Sequence, residues 1–474
     1  MKFLLLLISI GFFLVDSSCQ KQGNIWYFGN MAGVNFNDNP PTALFDGQTY
    51  LTSFSPHNEG CSTISDSAGN LLFYSNGEVL FDRNHDVMPN GQLLGHISST
   101  QAALIVPRPL SSRYYYVFTT DAFFENELQF GFRFSIVDLC LNNGLGDVIS
   151  DYKNVKLLDT VSEKIACVRH SNGVDYWVVV HKFFSNAFYS FLITDSGINE
   201  PIISNTGSQH GNILDPSSIF TSIGQMKISP DGSLLALCFS NTSPSVMEVF
   251  SFDKETGLVT NCLSLPSSSG EEGVYGVEFS PDSKKLYFSC NSFGRIIQYD
   301  LSSGIDNPTE VINSQIEIFN NGIASQHTFG LQLGPDNRIY AVRMDATYLG
   351  VISSPNNYGT DCNYSPIGMD LCGRTGSFGL PGFIANYDYS NNSNPCSSYN
   401  EEKLINETLF YPNPAKSNIV FSENVDYYEI TNFVAQKILS GKKKNINITN
   451  YPKGCYQIRM LIGKETIIKK LIIL

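Results

Sequence analysis

Six polar residues each stand near the start of a repeated unit: Glu59, Gln101, Glu163, Glu272, His327 and Arg374. Their types could do two kinds of work. Paired carboxylates can divide into a proton donor and a base or nucleophile, which is the chemistry of glycosidic cleavage. Amide, imidazole and guanidinium groups converging on one spot would instead hold a ligand through hydrogen bonds. Glu271-Glu272 before Gly273 and Gln326-His327 before Thr328 are the densest of these positions. The bland alternative gives all six the same origin: each opens a structural unit as a loop residue and carries no chemistry.

Other chemistries find no support. The sequence has no His-Glu-x-x-His, no paired Cys-x-x-Cys, no Gly-x-Ser-x-Gly and no phosphate-binding glycine loop. Asp82-Arg83-Asn84-His85-Asp86 alternates oxygen ligands as a calcium loop does. Val87 stands where that loop needs glycine, so the segment reads as a polar hairpin tip. Neither a metal nor a cofactor is expected.

What would position the six residues is a recurring corner. Ser229-Pro230-Asp231-Gly232 precedes Leu234-Leu235-Ala236-Leu237-Cys238. Ser280-Pro281-Asp282-Ser283 precedes Leu286-Tyr287-Phe288, and Gly334-Pro335-Asp336-Asn337 precedes Ile339-Tyr340-Ala341-Val342. The proline presets φ, the Asp–Gly-like pair turns the chain, and the apolar run enters a buried strand. Successive prolines stand 51 and 54 positions apart. Looser versions lie at Ser65–Asn70, Pro107–Ser112 and Arg169–Gly173, each again ahead of an apolar run. A turn-plus-strand unit returning at that interval specifies a propeller blade.

Composition agrees with this. Charged residues are only 16% of the chain, aromatics reach 12%, and Gly and Pro number 38 and 21, a profile of short strands and turns. The expected fold is all-β: a β-propeller, seven blades favoured with six or eight as alternatives, followed by a small C-terminal β-sandwich. Ile25–Phe36 has strands without a corner, and Phe378–Ile384 is a half-unit without outer strands. Joining them would complete the seventh blade and remove the exposed sheet edges.

The ends of the chain differ from its middle. Met1-Lys2 and the apolar run Phe3–Val15 are too short to span a bilayer and read as a signal peptide, residues 1–19, cut between Cys19 and Gln20. Acylation of Cys19 is the competing reading. The propeller is assigned to 20–390 and a polar linker to 391–408. From 409 to 474 there are ten basic and four acidic residues, although the whole chain carries −14, so this end stands apart as a module. The overall negative charge excludes a general nucleic-acid binder. Cys238 and Cys290 follow equivalent corners and read as small core residues, whereas Cys362 and Cys372 lie in loop-rich sequence and are either a disulfide or unpaired thiols, since spacing does not fix connectivity.

Tyr411-Pro412-Asn413-Pro414, Ile430–Lys437, Gly454-Cys455-Tyr456 and the terminal Lys469-Lys470-Leu471-Ile472 resemble the C-terminal sorting domain (type A) of the type IX secretion system of Bacteroidetes. Ala435 departs from the family's usual glycine. The resemblance implies that Tyr411, Pro412, Asn413, Pro414, Gly454 and Tyr456 belong to the sorting signal. It also implies the secretion machinery as partner and a destination outside the cell or on its outer surface. The larger part, opening Asn24-Ile25-Trp26-Tyr27-Phe28-Gly29, resembles secreted bacterial WD40-like or TolB-type propellers. That resemblance implies a fold and leaves the activity open. Two readings follow: a binding or scaffolding module with a protein or glycan on its propeller face, or a polysaccharide hydrolase or lyase working from the channel.

Overall fold

The computed structural model describes residues 21–48, 59–123, 128–212, 214–239, 246–266, 273–290, 294–323, 327–387, 396, 410–411, 415–421, 425–431, 437–462 and 465–473. The chain forms two compact units, 1–397 and 398–474. In the first, the described residues build seven antiparallel sheets in chain order, one of three strands and six of four or five. Their first strands are Ile25–Phe28, Ser62–Ser65, Ala103–Pro107, Val161–Arg169, Met226–Ile228, Val274–Phe279 and Thr328–Leu333. The first strands of sheets one to three contact one another in turn, as do those of sheets four to seven, and they form the innermost layer. Each is buried along most of its length, as strands enclosed on both faces must be. The unit is a β-propeller.

The corners lie where the repeat requires them, between the first and second strands of sheets two to seven. At Ser229–Ser233 the Ser229 hydroxyl donates to Asp231 Oδ1 at 2.6 Å, and the Ser233 amide donates to the same oxygen at 3.0 Å. Ser280 and Asp282 repeat the first bond at 2.6 Å, and the Lys284 amide repeats the second at 3.1 Å. The left-handed residue is Gly232 (φ 74°), Ser283 (60°) or Asn337 (63°). The Ser283 hydroxyl accepts from the Asp231 amide at 3.1 Å, so neighbouring corners are bonded to each other.

Between sheets, the core is aromatic and aliphatic. Trp26 packs on Phe36 (4.7 Å between ring centroids) and Tyr340 (5.4 Å), which joins the first sheet to the seventh. The chain ends also meet directly: the Asn30 amide donates to Thr375 O at 3.0 Å. Phe378–Ile384 corrects the expectation that it pairs with Ile25–Phe36. It continues as a strap along the inner strands instead. Gly330 N donates to Phe378 O, Gly382 N to Cys61 O and Ala385 N to Cys167 O, at 2.8–2.9 Å. The strap thus spends its backbone groups on sheets seven, two and four.

Of the two readings of Cys362 and Cys372, the bridge does not form and the unpaired thiols hold. Both cysteines are free, Cys362 buried and Cys372 exposed. Cys362 closes a 3-10 turn, Gly359–Cys362, packed under Tyr287 and Ile352, whereas Cys372 sits in the turn after Tyr364–Asp370. The bridge that forms is Cys140–Cys396, across 256 positions. Cys238 and Cys290 are buried free thiols.

In the second unit two sheets face each other. One comprises Phe410–Tyr411, Asn418–Phe421 and Asn445–Asn447, and the other Lys437–Gly441, Tyr427–Thr431, Gly454–Ile462 and Glu465–Ile473. Alternation puts Ile419, Phe421, Tyr428, Ile430, Ile458 and Met460 into a shared core, with Phe421 stacked on Tyr428 at 4.3 Å. Tyr456 anchors its strand by donating to Pro452 O at 2.7 Å. Cys19, Gln20, Pro412, Asn413 and Pro414 lie outside the described residues.

Candidate functional site

Three of the six sequence candidates come together where the inner strands begin. Strand Val161–Arg169 has a register shift between Val161 and Ile165, which frees Ser162-Glu163-Lys164 from the ladder. Inner strands Val274–Phe279 and Thr328–Leu333 carry the same irregularity, at Gly276 and Gly330. A Cβ on Gly276 would meet Phe329 O at 2.3 Å, so the bulge there requires glycine.

Glu163 Oε2 accepts from the Thr100 amide (3.0 Å) and the Thr100 hydroxyl (2.9 Å), and Oε1 accepts from the Phe123 amide (3.0 Å). Its neighbour Lys164 is fully buried and donates to Thr221 O, Ser222 O and Ile223 O at 2.7–3.0 Å. Glu59 receives Tyr275 OH at 2.6 Å and Ser98 Oγ at 3.2 Å. Burial, and secondarily the charge of Glu163, push the Glu59 carboxyl well above the usual range, against the pull of those two hydrogen bonds. Burial raises Glu163 as well, opposed by its three hydrogen bonds and by Lys164. Burial pulls Lys164 down, opposed by Glu163.

Gln101 is a fastener. Its Oε1 accepts from Ile165 N (3.2 Å) and Met226 N (2.8 Å), and its Nε2 donates to Met226 O (3.1 Å), tying the fourth sheet to the fifth. Gln225 does the same for sheets six and seven, accepting from Val277 N at 3.2 Å and Leu331 N at 3.0 Å. His327 packs 5.9 Å from Phe329, which lies 5.1 Å from Tyr275, between ring centroids. Arg374 donates to Phe45 O at 2.8 Å, away from the carboxyls. Glu272 lies outside the described residues.

Sequence reasoning missed Thr100, Lys164 and Tyr275, which sit inside strands or one position from a candidate and carry no motif. It also missed His181 and His210. These stack at 3.5 Å between centroids, both buried, with His181 Nδ1 and both ring nitrogens of His210 unpartnered. Burial depresses both: His181 to about 3, assisted by Lys164, and His210 well below the ordinary range, assisted by His181 and then Lys164.

Toward the corner end the channel opens into a cavity of about 440 Å³. The strap residues Gly382–Asn386 form one wall, and Pro230, Pro281 and Pro335 of three corners also line it. Inside it Lys227 Nζ sits 3.3 Å from Glu278 Oε2 and donates to Gln332 Oε1. Asp82, from the would-be calcium loop, spends its Oδ1 on the amides of Asn84 (2.8 Å) and Asp86 (3.2 Å), as a hairpin tip does.

A family model for the secretion system C-terminal sorting domain matches residues 409–474. No curated protein matches the sequence. Among solved structures, a protein from Lactobacillus plantarum is 12% identical, with 76% of this chain and 99% of that one covered and a TM-score of 0.44. A putative 6-phosphogluconolactonase from Bacteroides uniformis is 13% identical, with 74% and 98% covered and a TM-score of 0.41. The periplasmic gluconolactonase of Pseudomonas aeruginosa is 11% identical, with 83% and 94% covered and a TM-score of 0.37. With its seven repeated sheets and that matched tail, the chain is a β-propeller protein that carries a type IX C-terminal sorting domain and is exported to the cell surface or beyond.

Proposed function

We propose that this protein is a binding and scaffolding module that its C-terminal domain delivers outside the cell, with a protein or glycan partner held on the strand-start face of the propeller. The observation that carries this reading is the engagement of Glu163 and Lys164. Three donors close on the carboxylate and three backbone carbonyls on the ammonium. Groups so engaged hold the channel mouth in shape: all three Lys164 hydrogens are donated, and Glu163 keeps a single acceptor site on Oε1. In this reading residues 1–19 are removed as a signal peptide, 20–390 form the propeller, 391–408 link it, and 409–474 engage the secretion machinery.

Glu59 favours the second reading, a polysaccharide hydrolase or lyase. A carboxyl that keeps its proton near neutral pH beside a second carboxylate is the arrangement a general acid needs. A glycan array and a pull-down with the exported chain, run beside an assay for depolymerisation, separate the two. Saturable binding without turnover is the expected result. Cleavage of any polymer that is lost in Glu59→Gln would overturn it in favour of the hydrolase.

A further inference from the structure

We propose that the corner end of the channel is a second binding pocket, distinct from the strand-start face, and that it takes a small uncharged saccharide bearing an acyl carbonyl. Its volume, about 440 Å³, lies in the range of small-ligand sites. Its polar equipment includes donors that the protein itself does not use up. Lys227 donates to Gln332 Oε1 and stands 3.3 Å from Glu278 Oε2 as an ion pair, so its ammonium has donor capacity to spare. Gln332 Nε2 gives one hydrogen to Leu333 O at 3.0 Å and keeps its other. On Glu278, Oε2 is occupied by Leu333 N at 3.0 Å and by Lys227, whereas Oε1 accepts from Phe279 N at 2.9 Å and keeps one acceptor site. The adjacent Lys227 and Gln332 donors can meet on a carbonyl oxygen, and Glu278 Oε1 can accept from a neighbouring hydroxyl or amide N–H.

Charge and shape narrow the class further. The Lys227–Glu278 pair sums to zero in a site where Lys227 is 12% and Glu278 5% exposed, so an ionised ligand would lose its hydration without a counter-charge. Asn337 and Asn386 also line the cavity, and an asparagine amide can take a hydroxyl group in either role. Phe383 and the corner prolines supply apolar surface for a sugar ring face and an acyl methyl. A peptide added as a strand fits poorly. The inner-strand amides it would need are already bonded to side chains at Met226 by Gln101, at Leu331 by Gln225 and at Leu333 by Glu278.

The test is calorimetric titration of the full chain with N-acetylglucosamine, glucose and glucuronate, the fold of each variant being checked by circular dichroism. N-acetylglucosamine is expected to bind best and glucuronate at least tenfold more weakly. Lys227→Met/Glu278→Gln removes the donor without leaving a buried charge and is expected to weaken N-acetylglucosamine tenfold or more. Asn386→Gly, at a left-handed position glycine accepts (φ 55°), is expected to cost about threefold. Should the double variant not fold, Gln332→Leu and Asn386→Gly decide. No binding of any of the three sugars, glucuronate binding as tightly as the neutral sugars, or affinity untouched by every folded variant would each overturn the proposal.

Discussion

The phenol of Tyr275 donates to the carboxyl of Glu59 at 2.6 Å, though 216 positions separate them in the chain. One residue stands just before the inner strand of the second sheet and the other within the inner strand of the sixth. Their bond therefore crosses the mouth of the channel. Tyr275 also packs edge-on against Phe329 of the seventh sheet, at 5.1 Å between centroids. Placement of Glu59 depends on the propeller being closed.

That placement gives the protein a pH signature. Glu59 holds its proton more tightly when folded than when unfolded. Its contribution to stability is complete below the unfolded carboxyl value and is lost as pH rises from there toward about 8. Glu59→Gln is expected to flatten the fall in stability between pH 5 and 8 by at most ~1.4 kcal/mol per pH unit. Urea unfolding at several pH values checks it. Parallel curves for the two proteins would show that Glu59 ionises normally.

The histidine pair predicts the opposite slope at lower pH. His181 and His210 are depressed by burial, so the unfolded chain takes up protons that the folded one refuses. Stability from this pair is complete above about 6.5, their ordinary value, and declines as pH falls below it. His210→Phe keeps a ring against His181 and Phe239 and removes two unpartnered nitrogens. The variant is expected to lose less stability between pH 6 and 4, by about 1 kcal/mol per unit. An unchanged acid limb in a thermal-melt series would contradict the assignment.

At the corners the backbone sets the cost. Gly232 has φ 74°, and a Cβ there would meet Lys254 Cδ at 2.3 Å and Val168 Cγ2 at 3.0 Å. Gly232→Ala is expected to destabilise by about 1–2 kcal/mol. Asn337 holds the same left-handed place in its own corner, and Asn337→Gly is expected to be neutral or to stabilise by up to ~1 kcal/mol. Equal effects of the two substitutions, read from denaturation midpoints, would mean that the corners are not equivalent turns.

How much of this could be read from residues follows from where the information sits. The corner is local: Ser229 bonds to Asp231 and to Gly232 around Pro230, so their spacing announces the turn and its repetition announces the propeller. The fastening of the channel is not local. Gln101 reaches Met226 across 125 positions and Glu163 meets Thr100 across 63, and no spacing rule connects them. Picking Gln101 and Glu163 as the first polar residues of their repeats found the place but not the role. The strap misled for a related reason. Phe378–Ile384 is as apolar as a blade strand, and only its glycines, Gly379 and Gly382, mark a backbone lying close against others. Gly379 leaves no room for a Cβ, which would stand 2.0 Å from Glu59 O.

The disulfide is likewise invisible to spacing, and it makes a prediction of its own. Cys140–Cys396 ties the chain that follows the strap to the third sheet. Peptide mapping of the non-reduced exported protein is expected to recover these two cysteines in one linked species, with Cys372 alkylated freely. Cys396→Ser is expected to cost about 2–5 kcal/mol, the usual value for a native bridge. A linked Cys362–Cys372 species would overturn the pairing.

The sorting tail predicts a change of location with no change of propeller. Residues 398–474 form their own compact unit around Phe421, Tyr428, Ile458 and Met460, and the first unit has a core of its own. A chain ending at residue 408 therefore keeps every sheet of the propeller and the Cys140–Cys396 bridge while losing the matched domain. It is expected to fold, to melt within a few degrees of the propeller transition of the full chain, and to accumulate in the periplasm. Met460→Asp tests the same point with the tail still attached. A buried charge at a fully enclosed position should unfold the sandwich and leave the propeller alone. If fractionation finds either variant outside the cell at the level of the parent, export does not run through this domain. If both stay behind with an intact propeller transition, the tail carries the address and the propeller is its cargo.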